Sequence, residues 1–306
     1  MSDEFLKDVA EGFSKTQKSL PAKWLYDRRG SELFEAITKT EDYYVTRTEA
    51  AIMRTVLSEL PARCPHGSAI TEFGSGAGVK SRRLIDAMMP SVYVMIDVAE
   101  DFLNHSVEAL SEAFEDVTVS GVVGDFNAPV TLPPEFHKAD NRMGFFPGST
   151  IGNFQRGGAQ IFLENARKVL GDGSMFLLGV DLVKDEDVLV SAYDDSDGMT
   201  ARFTLNLLER MNRELDADFD LETFRHQAKW NLDERRIEIR AVSLVDQSVT
   251  VGGETYSFAE GEGIHTENSH KYTRESFGRI ADAAGWQVEA MWTDPKEWFG
   301  VFLLNA

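Results

Sequence analysis

A short apolar run, Ala69-Ile70-Thr71-Glu72-Phe73, passes into Gly74-Ser75-Gly76-Ala77-Gly78, and an amphipathic segment from Val79 to Met89 follows at once. The pattern predicts strand, tight turn and helix. Three alternate glycines at that point let bare backbone approach a ligand and tolerate positive φ. Asp97 lies 23 positions after Gly74, at the end of a second apolar run, Val92 to Ile96. A carboxylate there can accept both hydroxyls of a ribose. Such a turn constrains the chain to an α/β sheet with a nucleoside-type ligand at one edge.

Two ligand classes fit the spacing, beside the plainer reading of a flexible glycine loop. A dinucleotide pattern wants a further glycine at position 79, which is Val79. The order found, acidic-x-Gly-x-Gly-x-Gly, is similar to that of S-adenosylmethionine (SAM)-dependent methyltransferases of the Rossmann-like class. SAM carries no pyrophosphate, so its helix need not cradle one.

The 306 residues suggest about two domains. A formal net charge of -20 opposes binding to nucleic acid, and the pairs Arg82-Arg83 and Arg235-Arg236 make no basic patch. No apolar run reaches the ~20 residues that span a bilayer, and the N-terminus lacks a secretion-signal pattern. The single cysteine, Cys64, suits a reducing cytoplasm. Six scattered histidines show no metal-ligand spacing. The expectation is a cytoplasmic, metal-free monomer acting on a small molecule, with no nucleic-acid or membrane partner.

From Ala69 onward strand and helix patterns alternate. A helix is expected over 100–114, a strand over 117–123 ending at Gly124-Asp125-Phe126, and another over 143–146 before Pro147-Gly148. Helix 159–170, strand 175–180, helix 275–284 and strands 287–292 and 299–304 complete the series. This predicts a seven-stranded, mostly parallel sheet of Rossmann-like class, with ligands beyond the carboxyl ends of its strands. Residues 49–182 plus 272–306 are expected to form this domain. Residues 1–48 plus 183–271 are expected to form a second, discontinuous α+β domain that binds substrate and lies as a lid over the nucleotide site. In it, Phe203, Leu207, Leu208 and Met211 make one helical stripe, and two extended runs meet at Asp233-Glu234 as a hairpin. The first ten residues are expected to be loose.

Several side chains could carry chemistry. Lys80 follows the glycine turn, where it could meet a carboxylate or simply face solvent. Asp125-Phe126 can contact an adenine, or cap a helix and fill a core. Asn153, in Pro147-Gly148-Ser149-Thr150-Ile151-Gly152-Asn153-Phe154, can donate to a carboxylate or cap the next helix. In an extended segment, Glu267 and Ser269 share a face. Together they can grip two ring nitrogens, unless they form an ordinary polar strand edge.

Taken together, these segments resemble the L-histidine Nα-methyltransferases of ergothioneine biosynthesis, which form the betaine hercynine. The resemblance runs from Leu20 to Leu304. It is carried by Lys23-Trp24-Leu25-Tyr26-Asp27-Arg28-Arg29-Gly30-Ser31-Glu32-Leu33-Phe34, Tyr43-Tyr44-Val45-Thr46-Arg47-Thr48-Glu49, Glu72-Phe73-Gly74-Ser75-Gly76, Phe146 to Phe154, and Glu267-x-Ser269-x-Lys271-Tyr272. It implies that Gly74, Lys80, Asp97, Asp125 and Phe126 hold SAM. It further implies that Asn153 and Tyr193 grip the substrate carboxylate, with Tyr43 beside the substrate backbone. Glu267, Asn268 and Ser269 would bind the substrate, with Glu267 and Ser269 selecting the imidazole. Tyr26, Phe34 and the Gly148 carbonyl would line the amine. Ile239 stands where some members have methionine against the ring.

The implied reaction is an in-line displacement from sulfonium to a neutral amine, with Tyr26 orienting the nitrogen. Two other readings compete: the same chemistry on tyrosine or tryptophan, which Glu267 disfavours, and a non-catalytic SAM sensor. A nicotinamide dehydrogenase is opposed by Val79.

Overall fold

The structure is a computed structural model that describes residues 2–64, 67–75, 78–125, 130–155 and 157–306. Its strands, in chain order, are β1 (Ala69–Phe73), β2 (Val92–Asp97), β3 (Thr118–Val123), β4 (Arg142–Phe146), β5 (Met175–Asp181), β6 (Phe224–Asn231), β7 (Arg236–Ser243), β8 (Gln247–Val251), β9 (Glu254–Phe258), β10 (Gly263–His270), β11 (Gln287–Thr293) and β12 (Phe299–Asn305). The chain divides into two compact units, Met1–Thr46 with Lys184–Lys271, and Arg47–Val183 with Tyr272–Ala306.

The second unit holds a seven-stranded sheet in the order β11-β12-β5-β4-β1-β2-β3. All neighbours from β3 through β5 are parallel, whereas β12 runs antiparallel to both β5 and β11. This is the Rossmann-like α/β fold that the alternating pattern predicts. Strands β1, β2, β4 and β5 are buried almost throughout, which is why they read as continuous apolar runs; the edge strand β3 is partly exposed. Phe73, Phe146, Phe162, Phe176 and Trp286 pack as one aromatic core, and the Trp286 indole donates to the Leu163 carbonyl at 2.9 Å. Chain order reverses between β1 and β4, and a crevice forms at the carboxyl ends of strands flanking such a switch.

The first unit is built on a three-stranded antiparallel sheet, β10-β7-β6, with a separate hairpin of β8 and β9. The stripe Phe203, Leu207, Leu208 and Met211 lies on helix Met199–Glu214, and all four are buried. Strands β6 and β7 pair on either side of the turn at 232–235, as the sequence predicts. The expectation of a loose start is wrong for residues 2–10. Ser2–Phe13 is a helix whose Phe5 and Val9 are fully buried, and Phe5 stacks on Trp24 with ring centroids 4.2 Å apart.

Candidate functional site

In the second unit, the ends of three adjacent strands carry the candidate cofactor residues. Gly74 follows β1 with φ 72°, and its N–H donates to Ile96 O at 2.8 Å, fixing the turn beside the end of β2. Gly78 caps helix Val79–Met88 in the left-handed region, with φ 69°. Gly76 and Phe126 lie outside the described residues. Asp97 closes β2, its carboxylate accepting the Ala99 N–H at 3.0 Å. Asp125 stands exposed just beyond β3. This end-of-strand set suits a nucleoside with a ribose: two carboxylates as hydroxyl or amino acceptors, and a left-handed glycine turn that admits a ligand to the backbone. Glu72 itself does not reach out. Its buried carboxylate, pushed up to about 7 by burial, accepts from Ser81 Oγ and from Tyr93 Oη, tying the turn to its own helix and to β2.

Glu49 is a candidate residue to which the sequence assigns no role. Its side chain is buried; one oxygen meets Lys80 Nζ at 2.5 Å and the other accepts the Gly148 N–H at 2.7 Å. Lys80 is thereby held at the start of the glycine-turn helix. Gly148 and Ser149 both take positive φ, 83° and 60°. A Cβ on Gly148 would lie 3.1 Å from Lys80 Nζ, so the loop after β4 and the lysine are fitted to each other. The 3-10 turn Thr150–Asn153 then begins, ending at Asn153. Gly179 on β5 makes room for the same carboxylate, since a Cβ there would come within 2.3 Å of Glu49 Oε1. The signal was present, because Glu49 ends the Tyr43-to-Glu49 motif, but nothing local showed which partners it serves.

Tyr26, Phe34, Tyr43, Tyr193, Glu267, Asn268 and Ser269 all belong to the first unit. Four of them form a run of aromatic rings, with centroids 5.7 Å apart for Tyr26 and Phe34, 6.4 Å for Phe34 and Tyr43, and 5.9 Å for Tyr43 and Tyr193. Phe203 backs Tyr26 and Phe34 at 5.3 and 6.1 Å. Local structure aims Tyr26. Asp27 caps helix Arg28–Ile37 by accepting the Gly30 N–H at 2.7 Å, and Arg210 donates to the Trp24 carbonyl at 2.9 Å while lying over the Trp24 and Phe5 rings.

Strand β10 carries Glu267 and Ser269, and an irregularity decides where they point. Pairing with β7 runs Ile264 to Ala241 and His265 to Arg240, then skips Thr266 and resumes with Glu267 opposite Ile239 and Ser269 opposite Ile237. One extra residue reverses the facing of everything after it. Glu267 and Ser269 are therefore set on the face of Ile237 and Ile239, where Tyr193 also packs. Asn268 falls on the opposite face, opposite Glu238, and its Oδ1 meets His265 Nε2 at 2.8 Å.

Burial pushes the Glu267 carboxyl up to about 7, opposed by the Tyr26 hydroxyl and the Lys271 ammonium. Tyr26 Oη makes a long contact to Glu267 Oε1, at 3.5 Å. Burial first, and then the Glu267 charge, hold Tyr26 well above its usual range, so it keeps its proton at neutral pH. Tyr193 Oη and Ser269 Oγ are 2.7 Å apart, and Lys271 Nζ donates to both, at 2.8 and 2.7 Å. Thus Tyr193 stands with the serine expected to face a ring. His226 steadies it from behind, Nε2 meeting the Tyr193 carbonyl at 2.7 Å and Nδ1 meeting Thr204 Oγ1 at 2.9 Å.

A glycine turn with strand-end carboxylates on a seven-stranded sheet defines a nucleoside-cofactor enzyme of Rossmann-like type; a separate unit adds an aromatic wall with a buried acceptor and donor. The profile of the histidine-specific, SAM-dependent methyltransferases matches residues 5–306, and the chain belongs to that family. It is 41% identical to histidine N-alpha-methyltransferase of Mycobacterium tuberculosis, across 97% of this chain and 93% of that protein. Against ergothioneine biosynthesis protein 1 of Neurospora crassa it is 30% identical, across 94% of this chain but 33% of that larger protein. The solved CcbJ methyltransferase from Streptomyces caelestis shares the fold, with a TM-score of 0.51 at 14% identity, covering 83% of this chain and 94% of that one. Among the described residues no helix is long and apolar enough to cross a membrane.

Proposed function

We propose that this protein transfers three methyl groups to the α-amine of L-histidine, giving hercynine, the first step toward ergothioneine, in the cytoplasm. The observation that carries the reading is the placement of Glu267 and Ser269 on one face of β10, in a unit whose aromatic rings suit a cationic product. SAM supplies an activated methyl group on its sulfonium. Gly74, Lys80, Asp97, Asp125 and Phe126 hold it, and Glu49 keeps Lys80 in position.

The chain's own task is binding and orientation. The attacking amine must be neutral, because an ammonium has no lone pair. Tyr26 keeps its proton and so orients the nitrogen rather than deprotonating it. Gly148 supplies its carbonyl to the amine, and Asn153 and Tyr193 serve the carboxylate. The faces of Tyr26, Phe34 and Tyr43 favour the growing methylammonium, each contact worth about 0.5–2 kcal/mol. Transfer ends at three methyl groups, when the nitrogen has no lone pair left. Glu267 accepts from one ring nitrogen and Ser269 donates to the other.

Incubating the purified protein with SAM and each of the twenty amino acids, then weighing the products, tests the reading. Histidine alone should gain three methyl groups. Equal methylation of tyrosine or tryptophan, or SAM binding with no turnover, would refute it.

A further inference from the structure

We propose that Glu49 is a positioning residue that makes cofactor and acceptor binding cooperative: its buried carboxylate ties Lys80, which serves SAM, to the Gly148 loop, which serves the amine, so that binding of one ligand tightens the other. The proposal rests on the histidine reading given above and deepens it.

Glu49 lies on helix Tyr44–Glu59, and its side chain is 2% exposed. Its two oxygens serve different partners. Oε2 takes the Lys80 ammonium at 2.5 Å, and Oε1 takes the Gly148 N–H at 2.7 Å. Both bonds are charge-assisted and stronger than neutral ones. The carboxylate has little room to swing, because a Cβ on Gly179 of β5 would already meet Oε1 at 2.3 Å. The loop is also held from its other side. Ser149 Oγ accepts the Asp181 N–H at 2.8 Å, and the Gly152 N–H donates to the Ser149 carbonyl at 2.8 Å. Gly148 is thus strung between Glu49 and the end of β5, in the left-handed region with φ 83°.

A carboxylate is a rigid plane, so its two oxygens cannot move independently. A cofactor carboxylate that meets Lys80 orders the ammonium and, through Glu49, orders the Gly148 turn before the amine arrives. The converse holds with the same magnitude, because coupling between two binding equilibria is reciprocal. Only a group that accepts on both oxygens can carry it. A glutamine of the same shape has one accepting oxygen and one NH2 that donates. It can satisfy Lys80 or Gly148, and leaves the other donor without its partner. Glu49 therefore acts through Lys80 and Gly148.

Calorimetric titration of histidine into the protein, with and without saturating S-adenosylhomocysteine, measures this coupling in the absence of turnover. That compound keeps the carboxylate that Lys80 would meet. In the wild type it should tighten histidine by about tenfold or more, and histidine should tighten it by the same factor. In Glu49→Gln the factor should fall to about twofold or less. Asp97→Asn, which weakens the cofactor through its ribose, should keep the wild-type factor. A wild-type factor near one overturns the proposal, even if Glu49→Gln does not fold. So does an undiminished factor in Glu49→Gln, or a matching loss in Asp97→Asn, since the coupling would then follow cofactor affinity alone. A wild type that binds no histidine, with or without S-adenosylhomocysteine, removes the histidine reading and the proposal with it.

Discussion

The two units present their candidate residues by different physical means. The second relies on backbone: glycine turns at Gly74, Gly78 and Gly148, strand ends in register, and one buried carboxylate, Glu49, tying Lys80 to the Gly148 loop. The first relies on side chains drawn from distant segments, with Tyr26 meeting Glu267, and Tyr193 meeting Ser269, only because the chain folds. A backbone site tolerates change in side chains that merely surround it. A side-chain network fails when one member is removed, because the others are left buried and unpaired.

The largest effect should follow from cutting that network. Glu267→Ala is expected to lower kcat/KM for histidine on the order of a thousandfold, with SAM affinity by calorimetry unchanged. Equal losses in both would erase the distinction between the units. In the second unit, Glu49→Gln should weaken SAM binding by about ten- to a hundredfold through misplacement of Lys80 and the Gly148 loop. A change in histidine KM without a change in SAM affinity would contradict that role.

Acid should affect the first unit's function before its fold. Glu267 must be ionised to accept a ring N–H, and its folded pKa is raised to about 7, so kcat/KM for histidine should fall as pH drops through about 7. Glu267→Gln should remove that inflection and leave only the substrate's own titrations. Gly179→Ala is expected to cost on the order of 1–3 kcal/mol, because its Cβ would meet Glu49 Oε1 at 2.3 Å and the Phe299 ring at 2.8 Å; a thermal melt reads it. The smallest effect concerns Glu238, bridged to Arg236, Arg240 and Asn231 and lowered to about 2. A depressed carboxylate stabilises above its unfolded pKa of 4.5 and loses that contribution as pH falls toward 2. Solvent screening limits it, so Glu238→Gln should cost on the order of 1 kcal/mol at neutral pH and nothing at strongly acid pH.

The same contrast explains what could be read from the chain. Strands β1 to β5 announce themselves as largely apolar runs leading into glycine or aspartate, and they and both final strands are found to within a residue or two. Local rules suffice there. The face of β10 was reached by a simple period of two, which correctly pairs Glu267 with Ser269. That rule carries no sign of the skipped Thr266, the feature that turns both toward Ile237 and Ile239 and sends Asn268 to the other side. Lys271 and Glu49 stand in distinctive motifs, yet a lone charge says nothing of its partners until they are brought to it. Two misses were avoidable. Phe5, Val9 and Phe13 recur at helical spacing, and Gly252-Gly253 marks the two-residue turn between β8 and β9.

The central claim is that the first unit recognises the nitrogens of the ring and not merely its shape. Competition between equimolar histidine and phenylalanine for limiting SAM, with both trimethylated products weighed, tests this most directly. The account predicts hercynine as essentially the sole product, a preference on the order of a thousandfold or more. Comparable yields of the phenylalanine betaine would contradict it.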